Sequence, residues 1–127
     1  MHQQLKRKIF SHDTIDIGYQ DLAATTTKSG RTYNTPDGKS YPSITTVLSI
    51  LSEDAIRAWR ERVGVEQADA ISGKASRRGT KVHSILEKYL NNEDTTKELP
   101  HIRQSLANLK PILDESIGTI FGLEVPL

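Results

Sequence analysis

Apolar residues recur at helical spacing through residues 44–117, and this periodicity predicts four helices. The predicted helices cover residues 44–51, 53–63, 65–90 and 100–117. Ser43 and Ser52 stand where capping residues are preferred at the start of a helix, and Gly64 follows the second helix, where glycine often ends one. The apolar positions of the longest helix are Ala68, Ile71, Ala75, Val82, Leu86 and Tyr89. This spacing indicates a helix with one buried face.

Glycine and proline interrupt two of the predicted helices. A glycine inside a helix costs about 1 kcal/mol relative to alanine. We therefore expect Gly79 to permit close packing or close approach of another group, or to mark a kink. Pro111 has no N–H to donate to Ala107, so it is expected to kink the last helix.

The segments outside the helices indicate β structure. The sequence Pro36-Asp37-Gly38 separates two β-prone runs and predicts a hairpin turn. Residues 1–30 are interpreted as a loosely ordered arm with a short strand near residues 15–19. Residues 119–127 predict one further strand, which needs partners because an isolated pair of strands is marginal in water. We therefore expect an α+β fold, rich in helix, from a natural protein that continues beyond this chain.

Composition limits the classes of function. The chain has 127 residues, 35% of them hydrophobic, which suits one globular domain. It has no cysteine, so disulfides, thiolate metal sites and cysteine nucleophiles are excluded. Its apolar runs are shorter than the roughly 18–20 residues of a membrane span, and no secretory leader is recognisable. A cytoplasmic protein without a membrane partner is expected.

Basic residues are concentrated in one segment, although the formal net charge is only +1. Lys74, Arg77, Arg78 and Lys81 follow one another with no acid between them. Such a cluster is either a site for nucleic-acid phosphates or a solvated helix face.

The same segment contains a candidate metal site. Gly79, His83 and Glu87 are spaced four residues apart, so on a helix they lie along one stripe. An imidazole and a carboxylate are a partial ligand set for Mg²⁺ or Mn²⁺. Two ligands are few, and the alternative is an ordinary surface pair of histidine and glutamate.

Other side chains have both a functional and a structural interpretation. The hydroxyls of Ser43 and Thr45 stand at a helix start, where they either contact phosphate or cap the helix. Trp59 and Tyr41 either stack on bases or pack in the core, and we favour the core for Trp59.

Three motifs in this order and spacing resemble a known family. They are Y-P-S-x-T-T-x-L at residues 41–48, Trp59 between arginines, and R-G-T-x-x-H-x-x-x-E at residues 78–87. Together they resemble the front half of the RecB-like exonucleases, in the phage and mitochondrial genome maintenance branch of the PD-(D/E)XK nucleases. The resemblance covers residues 31–127.

The resemblance implies a mixed sheet flanked by helices, α/β in the complete family fold. Residues 31–127 would then be a partial nuclease domain that ends before the catalytic strands and holds one C-terminal strand of the core sheet. His83 would be a metal ligand and Glu87 a ligand or a supporting carboxylate, and the two form the candidate catalytic pair. The candidate DNA contacts are Ser43, Thr45, Arg77, Arg78, Thr80 and Lys81.

The implied activity is Mg²⁺- or Mn²⁺-dependent hydrolysis of DNA by the full-length protein, on single strands or ends, in a bacterial or phage-infected cell. This chain alone is expected to be inactive. The alternatives are a non-catalytic DNA-binding module and a helical interaction protein. Asp37-Gly38-Lys39 resembles the D/E-x-K part of the family motif in letters, but aspartate followed by glycine is typical of a turn, and we interpret it so.

Overall fold

The computed structural model describes residues 7–126. The first six residues of the predicted arm, and Leu127 at the end of the predicted terminal strand, lie outside the described residues. The chain divides into two compact units, with divisions between Ile17 and Gly18 and between Ile71 and Ser72. We call residues 18–71 the hairpin unit, and residues 7–17 with 72–125 the helical unit.

The hairpin unit contains an antiparallel sheet with the strand order β1-β2-β3. The strands are β1 (Ala23–Thr27), β2 (Gly30–Asn34) and β3 (Ser40–Pro42). The predicted hairpin turn is confirmed between β2 and β3, where the Thr35 N–H donates to the Lys39 carbonyl at 2.9 Å.

Strand β1 was not predicted, because its residues fall within the segment interpreted as a loose arm. Threonine favours strands, and all five residues of β1 pair in register with β2, from Ala23 with Asn34 to Thr27 with Gly30. The strand predicted near residues 15–19 is wrong, since no strand is assigned there.

The four predicted helices are confirmed with small changes at their ends. They are α1 (Ile44–Ser49), α2 (Glu53–Val63), α3 (Val65–Leu90) and α4 (Pro100–Ser116). A single 3₁₀ turn at Ile50–Ser52 connects α1 to α2. Helix α4 continues through its internal proline.

The two predicted serine caps have different outcomes. The Ser43 side chain accepts a hydrogen bond from the Thr46 N–H at 3.1 Å and caps α1. The Ser52 side chain makes no capping bond, and its hydroxyl donates instead to the Ser49 carbonyl. The prediction of Trp59 as a core anchor is wrong, because α2 has no buried residue and the indole is partly exposed.

A hydrogen bond joins helix α1 to the sheet at the start of β2. The Thr46 hydroxyl accepts a hydrogen bond from the Arg31 N–H at 3.1 Å. Gly30 has a φ of +122°, and a Cβ atom there would lie 2.5 Å from the Thr46 Cγ2 atom. Glycine is therefore required at this position by both the backbone and the close approach of α1.

The hydrophobic core lies in the helical unit, between α3, α4 and the two chain segments beside them. Its buried members are Phe10, Ile85, Tyr89, Ile102, Leu106 and Ile120. The rings of Phe10 and Tyr89 meet edge-on, with their centroids 5.3 Å apart.

Residues 7–10 are part of this core structure, although they fall within the predicted loose arm. Arg7 donates to the Tyr89 carbonyl at 3.2 Å, and Lys8 donates to the Ile117 carbonyl at 3.0 Å. Each cation thus binds a carbonyl at a helix C-terminus, where positive charge is favoured.

The predicted terminal strand is wrong. Among residues 119–126 the only strand-type pairing is a single parallel bridge between Ile120 and His12. A bend follows, in which Glu124 has a φ of +52°. This left-handed conformation breaks the extended chain that the apolar residues predicted. The α+β class is nevertheless confirmed.

Candidate functional site

The candidate metal pair lines an open groove on α3. Ser76, Thr80, His83 and Glu87 follow one another at helical spacing and form a polar stripe. Gly79 and Ser84 complete the lining of the groove, whose volume is about 510 Å³. Because every lining residue belongs to α3, the groove opens outward from the helix.

The groove and the hydrophobic core lie on different sides of α3. Two residues of helix turn the side-chain direction by about 200°. Ile85 and Tyr89 each follow a groove residue by two positions and are buried, whereas His83 and Glu87 are exposed. The imidazole and the carboxylate are therefore free to meet a ligand without disturbing the core.

Gly79 forms the open floor of the groove. A Cβ atom at this position would have no atom within 4 Å, so no packed neighbour requires a glycine here. Helix α3 is also continuous through residue 79. No packed neighbour within the described structure therefore explains Gly79, and close approach by an outside group or a kink remains as its interpretation.

The metal ligands remain incomplete within the described structure. No group of three or more histidine, aspartate or glutamate side chains among residues 7–126 is arranged to hold a metal ion. His83 and Glu87 are thus two donors at most. Mg²⁺ commonly takes one or two protein carboxylates, with water and phosphate oxygens as its other ligands, so the pair suits part of such a site.

The four basic side chains of this segment differ in their contacts. Lys74, Arg77 and Lys81 are exposed and spaced at i, i+3 and i+7, and we call them the basic stripe. None of the three has an acidic partner within 4 Å among residues 7–126. Arg78 instead donates to the Ser105 hydroxyl of α4 at 3.3 Å. The basic stripe is thus available to phosphate, and Arg78 is partly engaged by α4.

Two of the predicted DNA contacts belong to the hairpin unit. Ser43 is buried, and its hydroxyl oxygen serves as the cap of α1. The capping interpretation therefore fits Ser43 better than phosphate contact. Thr45 is exposed, with its hydroxyl 3.1 Å from that of Ser43. The other four predicted contacts belong to the helical unit.

The turn interpretation of Asp37 and Lys39 is confirmed. Both residues belong to the loop between β2 and β3, where Lys39 lies 3.5 Å from the Asp37 carboxylate. A hydrogen bond from the Thr35 hydroxyl holds the pKa of Asp37 below its ordinary value. The charged carboxylate therefore belongs to the turn and not to a buried catalytic strand.

Sequence patterns did not indicate a second concavity in the helical unit. His12, Thr14 and Asn91 line it together with Glu87, which also lines the α3 groove. These residues come from distant parts of the chain, so no local spacing in the sequence connects them.

Comparisons with known protein families, with curated proteins and with solved structures gave no match. Within residues 7–126, none of the helices combines the length and the apolar character needed to cross a membrane. The features that bear on function are therefore the groove, the basic stripe and the resemblance of the sequence motifs.

Proposed function

We propose that this protein is part of a metal-dependent DNA exonuclease that hydrolyses phosphodiester bonds in single strands or at DNA ends. The observation that carries the proposal is the open floor at Gly79, on the same stripe as His83 and Glu87. Glycine inside a helix costs about 1 kcal/mol relative to alanine, and no packed neighbour requires the glycine at position 79. The space left by the missing side chain is well suited to admit a phosphate.

The side chains of α3 have separate roles in this proposal. The basic stripe binds the phosphates of the DNA backbone, and the absence of a side chain at Gly79 lets one of them approach the helix. His83, through an imidazole nitrogen, and Glu87, through its carboxylate, would hold a divalent cation, Mg²⁺ or Mn²⁺. When bound there, such a cation would polarise a phosphoryl oxygen and lower the pKa of an attacking water.

A second candidate is a DNA-binding module without catalysis. It is favoured by the basic stripe, whose cations have no acidic partner among the described residues, and it requires no metal. The two candidates differ in whether His83 and Glu87 bind a divalent cation.

Titration of Mn²⁺ followed by electron paramagnetic resonance tests the metal pair directly. We expect weak binding by the chain, and a loss of about tenfold or more in affinity for His83→Ala and Glu87→Gln. His101→Ala is the matched control, because His101 is exposed on α4 and lies outside the groove. Equal Mn²⁺ binding by His83→Ala and His101→Ala would remove the metal role.

The salt dependence of binding to single-stranded DNA tests the basic stripe. Replacing both Lys74 and Lys81 with alanine should reduce the slope of log K against log salt by about 0.7 for each lost phosphate contact. Lys28→Ala combined with Lys97→Ala removes the same charge from exposed positions outside the stripe. DNA binding with the expected slope, but without Mn²⁺ binding, would favour the non-catalytic module.

A further inference from the structure

The second concavity of the helical unit has the composition of a ligand site. It lies beside the C-terminal part of α3, where the bridge between His12 and Ile120 brings two chain segments together. Its volume is about 230 Å³. The lining residues are His12, Thr14, Glu87, Asn91, Ile120, Gly122, Leu123 and Val125.

The lining combines hydrogen-bonding groups with an apolar wall. The polar groups are an imidazole, a hydroxyl, a carboxylate and an amide, and they provide both donors and acceptors. Ile120, Leu123 and Val125 form the apolar part. Pockets for drug-sized ligands measure roughly 300–1,000 Å³, so this smaller space suits one planar ring system with a polar edge.

Glu87 connects this concavity to the α3 groove, because it lines both of them. His83 and Glu87 are one helical turn apart, with about 5–6 Å between the Cβ atoms of such a pair. In a nucleotide, one sugar separates the base from its phosphate, which is a comparable length. A phosphate beside His83 would thus place its base near the concavity, and the phosphate admitted at Gly79, one turn further along α3, would belong to the neighbouring nucleotide.

We propose that this concavity binds one unpaired nucleobase of the DNA strand whose phosphate lies in the α3 groove, an inference that rests on the proposed function. The apolar wall contacts the face of the base, while Thr14 and Asn91 hydrogen-bond to its edge and the Glu87 carboxylate is left to the cation. A base in a duplex is stacked and paired, so only a single-stranded or extruded base enters such a site.

Two oligomers of equal length and charge test the proposal on the full chain. One is a short oligothymidylate, and the other has the same sugar-phosphate backbone without bases. Fluorescence anisotropy in EDTA measures the binding of each without hydrolysis. Because one base contact of this kind is worth about 1–3 kcal/mol, we expect the oligothymidylate to bind about fivefold more tightly or better.

Blocking variants assign the base contact to the concavity. Thr14→Phe fills it from an exposed position, and Ser11→Phe is the matched control on the same segment outside the lining. We expect the preference for the oligothymidylate to disappear in Thr14→Phe and to persist in Ser11→Phe. Val125→Asp, in the apolar part of the lining, should also remove the preference, and it keeps the test valid if Thr14→Phe fails to fold.

The possible failures are distinguishable. Equal binding of the two oligomers by the unmodified chain, or a preference that survives both blocking variants, overturns the base site and leaves the proposed function standing. Failure of the unmodified chain to bind either oligomer overturns both proposals.

Discussion

Replacement of Phe10 by alanine should destabilise the helical unit by about 3–5 kcal/mol, the usual range for a buried phenylalanine. Phe10 is only 3% exposed, and its ring packs edge-on against Tyr89. The loss has two parts, the transfer of the ring from the core to water and the cavity that remains.

The surrounding hydrogen bonds should prevent the cavity from collapsing. The Asn92 side chain accepts from the Phe10 N–H at 2.8 Å and donates to the Phe10 carbonyl at 3.0 Å. Both bonds involve the backbone of residue 10, so they persist in the alanine variant and hold the segment in place. We therefore expect a cost within the full range and not a small one.

Urea unfolding followed by far-UV circular dichroism measures this cost. Helical signal is the suitable readout, because Trp59 is the only tryptophan and lies in the hairpin unit. Ile9→Ala is the matched control, since Ile9 is 69% exposed and its loss should change the free energy of unfolding by at most about 0.5 kcal/mol. If the two variants unfold at the same urea concentration, the assignment of Phe10 to the core is wrong.

Two further predictions concern single side chains. Burial and the hydrogen bond to Asp114 raise the pKa of Tyr89 to about 12, so the neutral phenol stabilises the fold at ordinary pH, and this contribution is lost as pH rises from 10 towards 12. The stability advantage of the unmodified chain over Tyr89→Phe should therefore shrink across that interval in urea unfolding at each pH, and a constant difference would contradict the assignment. Ser43→Ala should lower the free energy of unfolding by about 1 kcal/mol through loss of the α1 cap, whereas Ser52→Ala should change it by a few tenths, because Ser52 makes no capping bond. Equal effects of the two serine variants on thermal unfolding would count against the cap.

The helices were predictable because their signals are local. The apolar spacing, Gly64 and the proline at the start of α4 are all read within a few residues. The apolar spacing does not reveal which of the periodic positions pack against another part of the chain. Ile71 belongs to the apolar stripe of α3 and is 45% exposed, while Ile85, outside the predicted stripe, is fully buried.

The β structure and the N-terminal segment depended on contacts between distant residues. Strand β1 is a run of alanine and threonine, and its pairing with β2 stabilises the extended conformation. Phe10 becomes a core residue through Tyr89, which is far along the chain. At the C-terminal end, apolar residues predicted a strand, but Ile120 forms one bridge and the chain then bends.

The part of the candidate site that lies on one helix was predictable from the sequence. The spacing of His83 and Glu87 by four residues is enough to place them on one stripe, and the structure has them in one groove. The contact of Arg78 with α4 could not be predicted, because it depends on the position of Ser105. The concavity beside Glu87 depends on a bridge between His12 and Ile120 and had no signal in the sequence.

Helix α3 contributes both to the hydrophobic core and to the candidate site, and these two roles lie on different sides of the helix. The side with Ile85 and Tyr89 is buried, so substitutions there act on stability first. The side with His83 and Glu87 is exposed, so substitutions there should leave the free energy of unfolding nearly unchanged. A variant of His83 that loses Mn²⁺ binding while it unfolds like the unmodified chain therefore reports on ligand binding alone. The arrangement of α3 makes the functional proposal testable independently of the fold.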